Sequence, residues 1–183
     1  MAKLYEELDA NLQSFIEAQK MFFVATAASS ADGFINCSPK GLDTLRILDP
    51  KTVAYLDFTG SGIETVAHLK DNGRFVLMFC SFSERPLILR LHGTGTVVEK
   101  DDPEFEELLP LFPDMPGVRA VIKMDVTRIA DSCGWGVPMY DFKGERDTYF
   151  KFVQQIGDQG LRDAQSESNL HSLDGLPGLK QPV

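Results

Sequence analysis

Three stretches of this chain carry residues able to bind a ligand. The first, Asp57-Phe58-Thr59-Gly60-Ser61-Gly62-Ile63-Glu64-Thr65, reads as a strand end, a loop of small residues and a helix start. A helix N-terminus presents unpaired N–H groups and a partial positive charge, which is the usual way a phosphate is held. Gly60 and Gly62 let the backbone approach a ligand closely, and Ser61 and Thr65 add hydroxyls. A capped helix with no ligand carries the same pattern, and the Glu64 carboxylate would repel an anion. The second stretch, Asn36-Cys37-Ser38-Pro39-Lys40-Gly41, ends a strand at Pro39 and brings Lys40 out at a turn, either toward an anion or into solvent. The third, Ile88-Leu89-Arg90-Leu91-His92-Gly93-Thr94-Gly95, sets Arg90 and His92 on one face of an otherwise apolar strand. Such an arginine either snorkels outward or lines a polar cavity.

Other chemistries find no footing. Gly93-Thr94-Gly95 leads into Thr96-Val97-Val98 rather than a helix, so it marks a bend in a curved strand and not a dinucleotide fingerprint. His68, His92 and His171 stand at no metal-ligand spacing, and no metal is expected. Cys37, Cys80 and Cys133 are odd in number and far apart, which excludes a disulfide framework or zinc ribbon. Only Cys133, in a loop with Trp135, is a thiol of interest.

The elements that must position these residues follow from periodicity. Leu4, Leu8, Leu12, Phe15 and Ile16 predict a helix over 4–20. Strands are expected over 22–28 and 34–39 around the Asp32-Gly33 turn, over 45–48 and 52–58 around Asp49-Pro50-Lys51, and over 74–82 and 87–99 around 83–86. Another is expected over 118–130. Ser61 and Glu64 have capping-box spacing for a helix over 63–72, stopped by Gly73. Asp102-Pro103 opens another helix, and the acidic run 99–107 reads as its solvated face. Residues 145–168 look helical, ahead of a Gly/Pro-rich tail from Leu173. Consecutive strands without alternating helices predict an α+β domain: a six-stranded, mainly antiparallel split β-barrel with flanking helices. The expected bounds are one domain over 1–183, with the barrel over about 22–130 and a C-terminal helical region and tail over 140–183.

Composition narrows the function classes. With 18 Lys+Arg against 27 Asp+Glu the formal charge is −9, so a basic footprint for nucleic acid or anionic membrane is missing. No apolar run approaches the roughly 18 residues of a membrane helix. The opening Met1-Ala2-Lys3-Leu4-Tyr5-Glu6-Glu7 lacks a signal-peptide layout, which predicts a cytoplasmic protein. The strand at 74–82 is apolar on both faces, so a two-fold homodimer is expected.

Taken in order, Ser38-Pro39-Lys40-Gly41, Gly62-Ile63-Glu64-Thr65-Val66-Ala67-His68-Leu69, Ile88-Leu89-Arg90-Leu91-His92-Gly93-Thr94-Gly95, Ser132-Cys133-Gly134-Trp135-Gly136-Val137-Pro138 and Asp174-Gly175-Leu176-Pro177-Gly178-Leu179 span nearly the whole chain. Together they resemble the pyridoxamine 5′-phosphate oxidase-like split barrels that bind flavin mononucleotide (FMN), in a branch apart from the oxidase proper. The resemblance implies a homodimer with FMN at the interface. It places the phosphate among Ser38, Pro39, Lys40, Gly41 and the loop of Thr59, Gly60, Ser61, Gly62, Glu64 and Thr65. It also sets Arg90 toward the flavin and brings Trp135 to it from the partner chain.

The departures are specific. The oxidase proper carries a Ser-Arg-Lys-Gly-type cluster in its phosphate loop, whereas this loop has no cation, so FMN affinity must lean on Lys40, Arg90 and backbone donors. Its C-terminal Arg-x-His pair is replaced by Asn169-Leu170-His171, so pyridoxamine phosphate oxidation does not carry over. Three readings stay open: an FMN-dependent oxidoreductase on an unidentified small molecule, a flavin-binding sensor or storage module, and a cofactor-free structural dimer. No catalytic residue is assigned beyond the acid–base capacity of His92.

Overall fold

The computed structural model describes residues 3–180. Its sheet has eight strands where six were expected: β1 (Leu4–Tyr5), β2 (Met21–Ala27), β3 (Ile35–Gly41), β4 (Leu45–Asp49), β5 (Thr52–Phe58), β6 (Arg74–Cys80), β7 (Ile88–Glu99) and β8 (Val118–Ser132). The order is β3-β2-β6-β7-β8-β5-β4, with β1 on β8, and every pairing is antiparallel. β3 and β4 are consecutive in sequence yet lie at opposite ends of that order. Even so, the Lys40 side chain on β3 reaches Asp57 on β5. The sheet must therefore curl around its interior while staying split between β3 and β4. Side-chain alternation sends Phe22, Val24, Val53, Tyr55, Phe75, Leu77, Leu89 and Leu91 inward to one continuous core.

The expected N-terminal helix is corrected. Leu4 and Tyr5 pair with Ala130 and Ile129 as strand, and the helix α1 (Ala10–Ala18) starts only after Asp9, whose carboxylate accepts the Leu12 N–H at 2.9 Å. Leu8, Leu12 and Ile16 keep the helical spacing, but the cap decides where the turn begins. Helix α2 (Glu64–Asn72) ends on Gly73 in the left-handed conformation, as expected. Its start differs: Ile63 is the N-cap, and no side chain caps the helix, so the capping box is absent. The Asp102-Pro103 start holds for α3 (Pro103–Leu108), followed by a short 3₁₀ turn (Leu109–Leu111). Glu99 of the acidic run is not solvated but buried, accepting from Lys70 Nζ and the Lys180 N–H.

A second cluster joins Ala54, Leu56, Val98 and Val121 to Phe105, Leu108 and Phe112, so α3 covers the outer face of β5 and β8. Residues 136–147 have no regular structure, and α4 (Thr148–Ser168) follows, interrupted at Gly157 (φ 64°, ψ −174°). The segment beyond α4 is ordered: Gly178 N–H donates to the Leu170 carbonyl at 2.7 Å and Leu179 N–H to the Asn169 carbonyl at 2.8 Å. No helix among the described residues is long and apolar enough to cross a membrane.

The expected bend in β7 is a register shift between His92 and Gly93 opposite β8. A Cβ on Gly93 would collide with the Asp125 backbone carbonyl. Gly93→Ala should therefore cost about 1–3 kcal/mol through overpacking. Urea unfolding should show a lower midpoint with an unchanged slope.

Candidate functional site

Two polar networks and one groove occupy the region the sequence singles out. The first network centres on Asp57, fully buried at the interior end of β5. Its Oδ2 accepts Arg119 Nε at 2.6 Å and its Oδ1 accepts Lys40 Nζ at 3.2 Å. Arg119 comes from β8, where the register skips between Asp57↔Ala120 and Phe58↔Val118. The extra residue in that bulge is Arg119 itself, left without a strand partner. Its Nη1 is also engaged, donating to the Gly62 carbonyl at 2.9 Å and to Asn169 Oδ1 at 2.8 Å. Asn169 Nδ2 donates to the Gly60 carbonyl at 2.8 Å, and Gln165 Nε2 to Thr59 Oγ1 at 2.7 Å.

Burial pushes the Asp57 carboxyl up, but Arg119 and then Lys40 outweigh it and hold the group below the usual carboxylate range. Tyr55, two residues earlier on the same face, is pushed well above its ordinary value by burial and then by the Asp57 charge. Its hydroxyl has no hydrogen-bond partner.

The second network runs from β3 to the C-terminal segment. Ser38 Oγ donates to Asn36 Oδ1 at 2.9 Å, and Asn36 Nδ2 donates to Thr26 Oγ1 at 3.1 Å and Thr65 Oγ1 at 3.0 Å. Thr26 Oγ1 is also hydrogen-bonded to His68 Nδ1 at 2.9 Å. His68 Nε2 faces Asp174 Oδ2 at 3.2 Å. Asp174 Oδ1 accepts the Phe34 N–H at 3.0 Å.

The groove, of about 1500 Å³, lies on the outer face of β2 and β3 under residues 140–152. Its walls include Phe23, Phe82, Tyr140, Phe142, Tyr149 and Phe152. Four cations (Lys20, Lys40, Lys143, Arg146) and two carboxylates (Asp141, Glu145) line it, a positive excess on a chain of formal charge −9. Burial is the main cause that raises the Tyr149 hydroxyl to about 12. It donates to the Gly117 carbonyl at 3.1 Å.

The predicted site residues therefore divide. Pro39 and Gly41 line the groove, and Lys40 touches both the groove and Asp57. Ser38 and Thr65 belong to the His68 network. Thr59, Gly60 and Gly62 are engaged by Gln165, Asn169 and Arg119, and Ser61 is exposed. Glu64 accepts the Leu173 N–H at 3.3 Å. As alternation requires, Leu89 and Leu91 are buried inward while Arg90 and His92 face out. Pairing sets Pro39, Phe23, Met78 and Arg90 in one cross-strand row. Arg90 Nη1 donates to Ser132 Oγ at 3.0 Å. Trp135, 83% exposed, stands on the loop that follows β8. Burial, then Arg128 and Arg90, hold His92 below its ordinary value, so the imidazole is neutral near pH 7. No cluster of metal ligands occurs among the described residues.

The model for the protein family described as pyridoxamine 5′-phosphate oxidase matches residues 8–133. The chain belongs to that family. A pyridoxamine 5′-phosphate oxidase family protein of Aspergillus flavus, ustO, is 40% identical over 98% of this chain and 78% of its own length. Among solved structures, HupZ of Group A Streptococcus aligns with 28% identity and a TM-score of 0.54, covering 66% of this chain and 90% of its own. A pyridoxamine 5′-phosphate oxidase candidate of Lactobacillus delbrueckii has the same fold, with 20% identity, a TM-score of 0.55, and 69% of this chain and 98% of its own covered.

Membership in the pyridoxamine 5′-phosphate oxidase family raises the question of whether FMN fits. The groove suits a flat aromatic ring, because apolar and aromatic walls with a few polar groups are what such ligands bury against. The loop 59–65 does not suit a phosphate. It carries no cation of its own, both neighbouring cations share Asp57, and Glu64 stands at the helix start.

Sequence reading missed Arg119, Gln165 and Asn169, and named Asp57 only as the start of the loop. A signal existed for two of them: Asp57 and Arg119 each interrupt an apolar strand, in Tyr55-Leu56-Asp57-Phe58 and Val118-Arg119-Ala120-Val121. Charges so placed must find each other.

Arg119→Met should cost about 3–5 kcal/mol, because it leaves Asp57 buried with only Lys40. In the wild type, the lowered Asp57 value means its contribution is present above the unfolded carboxylate range near pH 4 and is lost as pH falls through the folded value. Urea midpoints taken down the acid limb should show this loss in wild type and its absence in Asp57→Asn. Tyr55→Phe should be neutral or stabilising by up to about 1 kcal/mol, since it removes an unsatisfied buried hydroxyl.

Proposed function

We propose that the protein is a homodimeric flavoprotein that holds the flavin of FMN in the outer-face groove and acts as an oxidoreductase on a small molecule. One observation carries this reading: a groove of about 1500 Å³, walled by six aromatic side chains and carrying a positive excess, on the sheet face that also bears Arg90. Pockets for drug-sized ligands run to roughly 300–1,000 Å³, so a flavin would leave room for side chains of a second subunit. Trp135 at 83% exposure, Ile35 at 80% and Met139 at 69% leave apolar surface for that subunit to cover.

On this reading the flavin supplies the redox chemistry, and the protein binds and orients it. Phe23 and Tyr149 would flank the ring, while Lys20, Lys143 and Arg146 would face its negative groups. Arg90 lies two strands from Phe23 in the same row, about 10 Å at ordinary strand spacing. A fixed cation there favours a reduced, anionic ring. The cofactor-free dimer is the second reading, and the absence of surplus positive charge at loop 59–65 is what favours it.

Titration of FMN against purified protein tests the proposal. Flavin fluorescence should be quenched to saturation, and Phe23→Ala should weaken binding about tenfold or more through lost aromatic burial. Arg90→Met should still bind but with a lower reduction potential. Absence of quenching, with a dimer still present in sedimentation, would select the cofactor-free reading.

A further inference from the structure

A second cavity, of about 420 Å³, lies at the split between β3 and β4, beside the end of α1. Ile16, Phe22 and Phe79, which are buried, line it together with Leu42, Leu45 and Ile47, which are only half-buried. The split explains the difference. β4 is an end strand bonded only to β5, so Leu45 and Ile47 have no neighbouring strand on their free side. On β2 buried residues alternate with half-buried ones, whereas from Leu45 to Leu48 every residue of β4 is half-buried. Apolar side chains left facing a space of this size are what a small ligand fills.

The mouth of the cavity carries no net charge. Glu17 and Asp43 stand against Lys20 and Arg46. Arg46 is already held by Asp43, Nη1 to Oδ1 at 2.6 Å and Nη2 to Oδ2 at 3.0 Å. The outer-face groove has a positive excess instead, so an anion has reason to choose the groove and an uncharged apolar group has reason to choose the split.

Leu42 joins the two spaces. With Gln19 and Lys20 it lines both the cavity and the groove. It is also the one non-glycine residue at positive φ (63°) among the described residues. A branched side chain keeps that conformation only where its surroundings hold it. Thr44 does so here: it is buried, its Oγ1 donates to the Gly41 carbonyl at 2.8 Å, and its own carbonyl accepts the Leu56 N–H at 2.9 Å. Glycine would fit the turn without strain but would supply no side chain between the two spaces.

We propose that the split cavity binds the apolar body of a small uncharged molecule, the substrate of the flavin in the groove, with Leu42 as the partition between the two ligands. The substrate role rests on the flavin reading, while the cavity's affinity for an apolar molecule stands apart from it.

The test uses the full chain with labelled methyl groups, first without flavin. On titration with n-butanol, n-pentanol and n-hexanol, the methyl signals of Ile16, Leu42, Leu45 and Ile47 should shift to saturation. Affinity should rise about fourfold with each added methylene. Hexanoate should bind no more tightly than n-hexanol, because the mouth offers no net charge. Leu45→Phe fills the space and should abolish the shifts, with Ile47→Phe taking its place if the first variant does not fold. In the FMN-loaded protein, n-hexanol should perturb the flavin absorbance of the wild type and not that of the filled variant. Lack of saturable methyl shifts, tighter binding of hexanoate, or shifts that persist in a folded filled variant would overturn the proposal whether or not flavin binds. A bound flavin whose spectrum ignores n-hexanol would overturn the substrate role. If no flavin binds, the flavin reading and the substrate role fall together, and the methyl titration still decides the cavity.

Discussion

A carboxylate with no exposure to water needs compensation on a scale few interactions supply, and Asp57 receives it from two cations on different strands. Much of the architecture serves that requirement. The sheet must curl far enough for Lys40 on β3 to reach β5. β8 must bulge so that Arg119, which strict alternation would place elsewhere, turns to the same carboxylate. Once Arg119 is buried, its Nη1 needs acceptors too, and the Gly62 carbonyl and Asn169 provide them. One buried charge thus links β3, β5, β8, the loop before α2 and the segment after α4.

That linkage separates the two halves of the region where a ligand was expected. The interior end of the barrel is polar, its charges paired, and closed. The outer face of β2 and β3 is apolar and open, with loosely supported aromatic residues above it; Tyr140 N–H to the Phe82 carbonyl, at 3.0 Å, is one of its few backbone ties to the barrel. Lys40 is the residue between them, because it lies at the end of β3 with its stem in the groove wall and its ammonium on Asp57. The chemistry a binding site needs, namely open apolar surface and uncommitted charge, is found on the outside.

The parts legible in the sequence were those set by local pattern. The Asp32-Gly33 turn, the Gly73 stop and the opposite facing of Arg90 and Leu89 depend on residues a few positions apart, and each was found where expected. Leu4 misled because it continues the spacing of Leu8 and Leu12, while the competing backbone pairing to Ala130 lies far away in sequence. Ser61 and Glu64 have the right separation for a capping box, but Glu64 is drawn to Leu173. Gln165 and Asn169 carry no local signature, since their partners Thr59, Gly60 and Arg119 lie 50 or more residues upstream.

The bulge that presents Arg119 also fixes an order of events during synthesis. Asn169 follows Arg119 by 50 residues. At about 5–20 residues per second, a ribosome exposes the arginine roughly 3–10 seconds before the amide that completes its shell. During that interval the guanidinium has Asp57 but lacks one acceptor, and the carbonyl of Gly60 lacks its donor. Burying such half-satisfied groups is unfavourable, so the nascent barrel has reason to keep this corner wet until residue 169 arrives.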